Sequence, residues 1–231
     1  YFPEADVQRM DLDTTRSKTG YETIIQKFEN GETDILVGTQ MVTKGLDFHR
    51  VSLVGVFNAD RMMHFPDFRS HERAYQLITQ VCGRAGRRDK VGKVVIQTSN
   101  PEHPILNFIL SHRYHEFYQR EIKDRKDHGY PPFTRLIEIT AKHTDRKICR
   151  KAAEAITDKL RQEMRGVTIL GPAEPMISKI RNQFLMTTLI KTPRRTGELA
   201  KIKGSILAVA DQLLKEKELR SVRFIVDVDP V

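Results

Sequence analysis

The sequence predicts two domains in tandem: an α/β lobe on a parallel sheet over residues 1–128, and an α+β domain of order βαββαβ over residues 129–231. Three observations carry that reading. In the first half, short apolar runs alternate with amphipathic helical patterns, as parallel strands joined by crossover helices do. In the second half, the order of elements is that of the split-βαβ arrangement, four strands in one sheet with two helices on one face. Between them, His128-Gly129-Tyr130-Pro131-Pro132 interrupts any helix or strand.

Residues 7–10 read as a strand. Residues 19–29 read as a helix, with Tyr21, Ile24, Ile25 and Phe28 on one face, stopped by Asn30-Gly31. Residues 34–38 and 51–57 are near-continuous apolar runs, expected of parallel strands covered on both faces. Residues 69–87 read as a helix whose inward stripe is Ala74, Leu77, Ile78, Val81, Cys82 and Ala85. A strand over 92–98 follows, then one long helix over 104–126 carrying Ile105, Phe108, Ile109, His112 and His115 at helical steps. The second half reads as a strand (136–142), a helix (145–164), a strand ended by Gly171-Pro172 (167–170), a strand (184–191), a helix (199–217) and a last strand (222–228). Residues 176–183 read as a polar, basic loop between strands.

Composition narrows the class. Charged residues make up 30% and hydrophobic residues 39%, as in a soluble globular chain. The longest apolar runs, such as 51–57, are too short to cross a bilayer as a helix. Two isolated cysteines, Cys82 and Cys149, form neither a disulfide framework nor a four-ligand zinc site, and fit a reducing cytoplasm. Asp60, His64, His71 and Glu72 match no familiar ligand spacing, so no metal site is expected. The start, Tyr1-Phe2-Pro3, has neither an initiator Met nor a signal-peptide pattern, and a piece of a longer protein is expected. Net charge is +9 and uneven: residues 1–128 hold 19 Lys+Arg against 18 Asp+Glu, residues 129–231 hold 20 against 12. Such an excess favours polyanions, through release of condensed counterions.

The chemistry concentrates in residues 75–88. On a helix, Gln80, Arg84 and Arg87 fall at i, i+4 and i+7 and share a strip away from the apolar stripe, with Arg73 earlier on the same strip. Planar guanidinium forks suit the equatorial oxygens of a transferring phosphate. Gly83 and Gly86 inside a helix each cost about 1 kcal/mol against Ala, which suggests close approach by another body. Three arginines on a helix, taken alone, are more often a solvated face.

Gln80-x-x-Gly83-Arg84-Ala85-Gly86-Arg87 resembles motif VI of superfamily 2 helicases, and residues 38–48, Gly-Thr-Gln-Met-Val-Thr-Lys-Gly-Leu-Asp-Phe, resemble their motif V. The stretch 58–73, Tyr130-Pro131-Pro132-Phe133 and the closing Asp227-Val228-Asp229-Pro230 resemble the PriA family of replication-restart helicases, over essentially the whole chain. The resemblance implies part of the second, RecA-like helicase lobe, followed by a C-terminal domain like ribosomal protein S10. It implies an ATP-dependent 3′→5′ DNA helicase acting on stalled or branched forks and starting primosome assembly. ATP and Mg2+ would serve the full-length protein, with zinc in an insertion ahead of this chain.

Site residues follow from the same resemblance. Arg84 and Arg87 reach ATP across the cleft between lobes, with Arg87 as the arginine finger and Gln80 near the γ-phosphate. Gly45 admits the nucleotide and Asp47 accepts from ribose or aids the catalytic water. Thr39 donates to a DNA phosphate. The sequence contains no phosphate-cradling loop and no acidic helicase box, so the chain alone is expected to be inactive as an ATPase. In the basic domain, Lys179 and Arg181 are the candidate DNA contacts. Arg194 and Arg195 are the candidate anchors for the acidic C-terminal tail of single-stranded-DNA-binding protein, beside branched and single-stranded DNA and other primosome proteins as partners. The competing reading is a non-enzymatic nucleic-acid-binding module or an RNA helicase relative.

Overall fold

The computed structural model describes residues 2–11, 18–39, 51–83, 85, 92–194 and 197–230. It divides into two compact units, residues 1–121 and 122–231. The division falls inside a helix, seven residues ahead of the break at residues 128 and 129.

In the first unit, β1 (Val7–Met10) and β2 (Ile35–Gly38) pair in parallel through the helix α1 (Lys18–Asn30). Gly31 stops that helix: at φ 79 its N–H reaches Phe28 O and the Glu32 N–H reaches Lys27 O, which satisfies the last carbonyls. Met10 is fully buried among Tyr21, Ile24, Ile25, Phe28, Leu36 and Val51. A second parallel pair, β3 (Leu53–Val56) and β4 (Lys93–Ile96), encloses α2 (Ala59–Met63) and α3 (Ser70–Cys82). The short helix α2 was not legible in sequence. It is tied to the end of β4 by Asp60, whose carboxylate accepts from Thr98 Oγ1 and Ser99 N at 2.7 Å each. Those two donors hold the Asp60 pKa below its usual value.

Two expectations change here. The strands are not covered on both faces: Val54, Val56, Val94 and Ile96 are half-buried, but Leu53 and Val95 stand 60% and 59% exposed. Among the described residues nothing covers that second face. The single helix over 104–126 is two helices, α4 (Pro104–Leu110) and α5 (Tyr114–Asp127). His112 takes φ 54, its N–H reaches Ile109 O and the Arg113 N–H reaches Phe108 O, the same closing pattern as at Gly31. Arg113 fixes the corner with bonds to Ser111 Oγ and Glu116 Oε2, both 2.8 Å. His112 therefore does not share a helix face with Phe108 and Ile109.

The second unit follows the expected order with one addition. β5 (Thr134–His143), α6 (Arg146–Glu163), β6 (Thr168–Ala173), β7 (Lys179–Ile180), β8 (Gln183–Pro193), α7 (Glu198–Leu214) and β9 (Arg223–Val228) form one sheet and two helices. The strand order β6-β8-β5-β9 is antiparallel throughout. Strand alternation sends Ile137, Ile139, Ala141, Met186 and Ile190 to the face that α6 and α7 cover with Ala152, Ile156, Leu160, Ile206, Val209 and Leu213. One buried polar pair sits in this core: Thr157 Oγ1 donates to Ala153 O, and the Thr157 and Thr188 hydroxyls meet at 2.7 Å. The basic loop over 176–183 is in part β7, which pairs with β8 as Lys179↔Phe184 and Ile180↔Gln183. Among the described residues, no helix is long and apolar enough to cross a membrane.

Candidate functional site

Thr39 directly follows β2 and is exposed at the carboxyl end of a parallel strand. Ligands of α/β sheets bind at such ends. Gln80 lies in the last turn of α3 and is also exposed. Gly45, Asp47, Arg84 and Arg87 lie outside the described residues.

The helix α3 ends earlier than periodicity predicts. Cys82 is its last residue and Gly83 its C-cap, with the Gly83 N–H on Thr79 O at 3.0 Å and the Ala85 N–H turned to Cys82 O. Gly83 therefore does not weaken a helix interior. A methyl added there would meet only ordinary contacts at 3.5 Å, to the carbonyls of Gln80 and Thr79. Gln80 is the one member of the i, i+4, i+7 strip among the described residues. Arg73, read as part of that strip, is instead engaged by Asp67 at 2.7 Å. Asp67 also accepts the Arg69 N–H, which fixes the turn entering α3.

Histidines gather between α2, α3 and α4. The His103 ring stands edge-on to His64 and to His71, each at 5.8 Å between centroids. His71 Nδ1 meets the buried Glu121 carboxylate at 3.1 Å, joining α3 to α5. His103 Nδ1 accepts the Ile105 N–H and caps α4. Partial burial, then the neighbouring His71 and His64, lower the His103 pKa. Among the described residues, no group of three His, Cys, Asp or Glu side chains is placed to hold a metal ion.

The second unit carries the excess of cations. Lys179 sits on β7 and Arg181 in the turn that follows, both exposed. The Lys179 ammonium lies 4.8 Å from the Phe184 ring centroid. Arg146 and Arg150, one turn apart on α6, both reach Glu174 Oε1. With Lys147 they line a cavity of about 310 Å³. Glu174 is the residue that sequence patterning missed; the two guanidiniums, Arg146 above all, hold its pKa below the usual carboxylate value. Arg194 Nη1 donates to Pro132 O at 3.2 Å, and Lys191 donates to His128 O at 2.8 Å while covering the Tyr130 ring at 3.5 Å. Lys191 also lines a cavity of about 370 Å³ with Thr134, Thr168 and Leu170. Arg195 lies outside the described residues.

Two family models match the chain in succession. Residues 3–89 match the family described as helicase conserved C-terminal domain, and residues 126–231 match the primosomal protein N C-terminal domain. Over 229 residues, 99% of the chain, it is 40% identical to the replication restart protein PriA of Bacillus subtilis (strain 168). The chain belongs to the PriA family. The PriA of Synechocystis sp. is 39% identical over 100% of the chain, and that of Haemophilus influenzae 38% over 99%. The chain spans only 28%, 27% and 31% of these three relatives' lengths. The helicase match holds α3 and Gln80, and the primosomal protein N match holds the basic surface.

Proposed function

We propose that the chain is the C-terminal part of an ATP-dependent 3′→5′ DNA helicase, one that recognises stalled or branched replication forks and initiates primosome assembly. The observation that carries this is the succession, in one chain, of a helicase C-terminal match and a primosomal protein N C-terminal match. In this reading Gln80, Arg84 and Arg87 face the triphosphate of ATP, Gly45 and Asp47 its remaining contacts, and Thr39 a DNA phosphate. ATP with Mg2+ supplies the phosphoryl group whose transfer drives translocation. The residues here form one side of that cleft, so the chain alone hydrolyses no ATP. Zinc belongs to a part of the full-length protein outside this chain.

The second unit is the DNA and partner domain in the same reading. Lys179 and Arg181 take phosphates of branched or single-stranded DNA. Arg194 and Arg195 take the carboxylates of the acidic tail of single-stranded-DNA-binding protein, since guanidinium forks bind carboxylates in bidentate fashion. The protein acts in the bacterial cytoplasm, at the nucleoid, with other primosome proteins.

The test is Arg87→Ala in the full-length protein. Loss of a transition-state guanidinium lowers DNA-stimulated ATPase about 10³–10⁵-fold, while DNA affinity changes little. Wild-type turnover in that variant contradicts the assignment.

A further inference from the structure

The β7–β8 hairpin joins a left-handed turn to exposed apolar side chains at and just ahead of its first strand. Its turn is Arg181-Asn182, with φ 48 and 61. Two successive left-handed residues make the two-residue turn whose twist matches a β-ribbon. Asn adopts that region readily; Arg does so only where the fold holds it there. The ribbon is fixed beyond the turn. Ile180 pairs with Gln183 and Lys179 with Phe184, and the Leu185 N–H reaches Ser178 O at 2.9 Å. Its base is anchored, since Cys149 of α6 donates its thiol to Phe184 O.

This ribbon and the loop that leads into it present apolar side chains to water. Met176 is 68% exposed, Ile177 64% and Ile180 45%, in a unit whose other apolar side chains are mostly in its core. Cations flank them. Lys179 stands over the Phe184 ring, and Arg181 has no partner among the described residues. Arg146, Lys147 and Arg150 lie near, on the helix that anchors the ribbon. Glu174, the carboxylate beside them, is already engaged by two arginines. Exposed apolar side chains among cations fit a polyanion that also offers flat apolar faces, which describes unstacked nucleobases on their phosphate chain. Isoleucine and methionine are among the side chains that wedge against base steps in nucleic-acid complexes.

We propose that the β7–β8 hairpin seats the open end of a base stack, where duplex gives way to single strand. Met176, Ile177 and Ile180 lie against the exposed base, and Lys179 and Arg181 hold the flanking phosphates. The proposal rests on the reading of the second unit as a DNA-binding domain.

The experiment uses the whole 231-residue chain and a forked DNA with 2-aminopurine at the first unpaired position. A second probe carries the label within a single strand. The first variant replaces Met176, Ile177 and Ile180 with Ser; a control carries Met176→Leu, Ile177→Val and Ile180→Val; the third carries Lys179→Gln and Arg181→Gln. Unchanged thermal unfolding confirms that each is folded. The serine variant is expected to bind the fork about tenfold more weakly, a loss of one base contact. It keeps the wild-type salt dependence and loses the fluorescence change at the junction, while the apolar control keeps both. The glutamine variant lowers the log–log salt slope by about two units. Wild-type fork affinity and fluorescence in the serine variant would overturn the proposal and leave DNA binding intact. A serine variant that binds the fork normally but loses a protein partner would also overturn it. Absence of DNA binding by the unmodified chain removes both this proposal and the reading beneath it.

Discussion

The two units spend their sequence differently. The second has long elements: β5 and β8 run ten and eleven residues, α6 and α7 eighteen and seventeen. They close one core that includes Ile137, Ile156, Ile190 and Ile206, each 1% exposed or less. Among its described residues the first has strands of four residues and two separate buried clusters, and it leaves Leu53 and Val95 open to water. Charge divides the same way. Residues 1–121 hold sixteen cationic and sixteen acidic side chains, so the whole excess of +9 lies in 122–231. The contrast separates two ways of carrying function. The helicase-matching unit presents single polar residues at element ends, such as Thr39 and Gln80. The basic unit is a closed scaffold whose surface carries the charge.

The largest expected effect tests the difference in closure. Ile190→Ala in the second core should cost about 2–5 kcal/mol, transfer and cavity terms together, read from denaturant unfolding. Leu53→Ser on the open strand face should change stability by less than about 0.5 kcal/mol. Equal losses would erase the contrast. Next is the buried hydroxyl pair. Thr157→Val strips the Thr188 hydroxyl of its partner and should cost about 1–3 kcal/mol. Adding Thr188→Val should recover most of that, because then no polar group is left buried and unpaired. A double variant as unstable as the single would mean packing, not the hydroxyls, sets the cost.

Two smaller effects sharpen the comparison through pH. Asp145 caps α6, accepting the Lys147 and Ile148 N–H groups, and these bonds lower its pKa. Its contribution should be full above the ordinary value of 3.8 and fade as pH falls through the lower folded value. Wild type and Asp145→Ala should therefore converge in stability at acid pH; a gap independent of pH would discount the ionised cap. In the first unit the sign is the same, although there it is the charged form that the fold disfavours. Burial, with His71, His64 and Arg120 nearby, lowers the His103 pKa, and only Asp60 opposes it. The unfolded chain binds a proton near 6.5 before the folded one does. Stability should thus fall as pH drops through 6.5 toward the folded value. His103→Asn keeps a side-chain acceptor at the cap and should flatten that dependence, as urea midpoints at pH 5 to 8 would show.

The second fold was readable because its signals agree. Apolar strand runs, helical periodicity and the breaks at Gly129 and Gly171-Pro172 all specify the same elements. Where reading failed, the backbone had turned without Gly or Pro. His112 in the left-handed region divides a helix whose periodicity runs on past it, and Arg181-Asn182 closes a hairpin inside what reads as loop. Gly83 misled in the opposite sense: a residue weighed as a cost inside a helix is the cap that ends it. Of the candidate site, residue types were legible and pairings were not. Nothing in spacing ties Arg73 to Asp67 or Glu174 to Arg146 and Arg150, because those bonds join distant segments or different faces.

The most direct test of the central claim measures where DNA binds and through what force. The whole chain and residues 122–231 alone are titrated with forked DNA at several salt concentrations. Both should bind with equal, steep log–log slopes, about −0.9 for each phosphate neutralised on duplex DNA, and residues 1–121 should bind far more weakly. Tight binding by residues 1–121, or affinity that does not change with salt, would contradict the account.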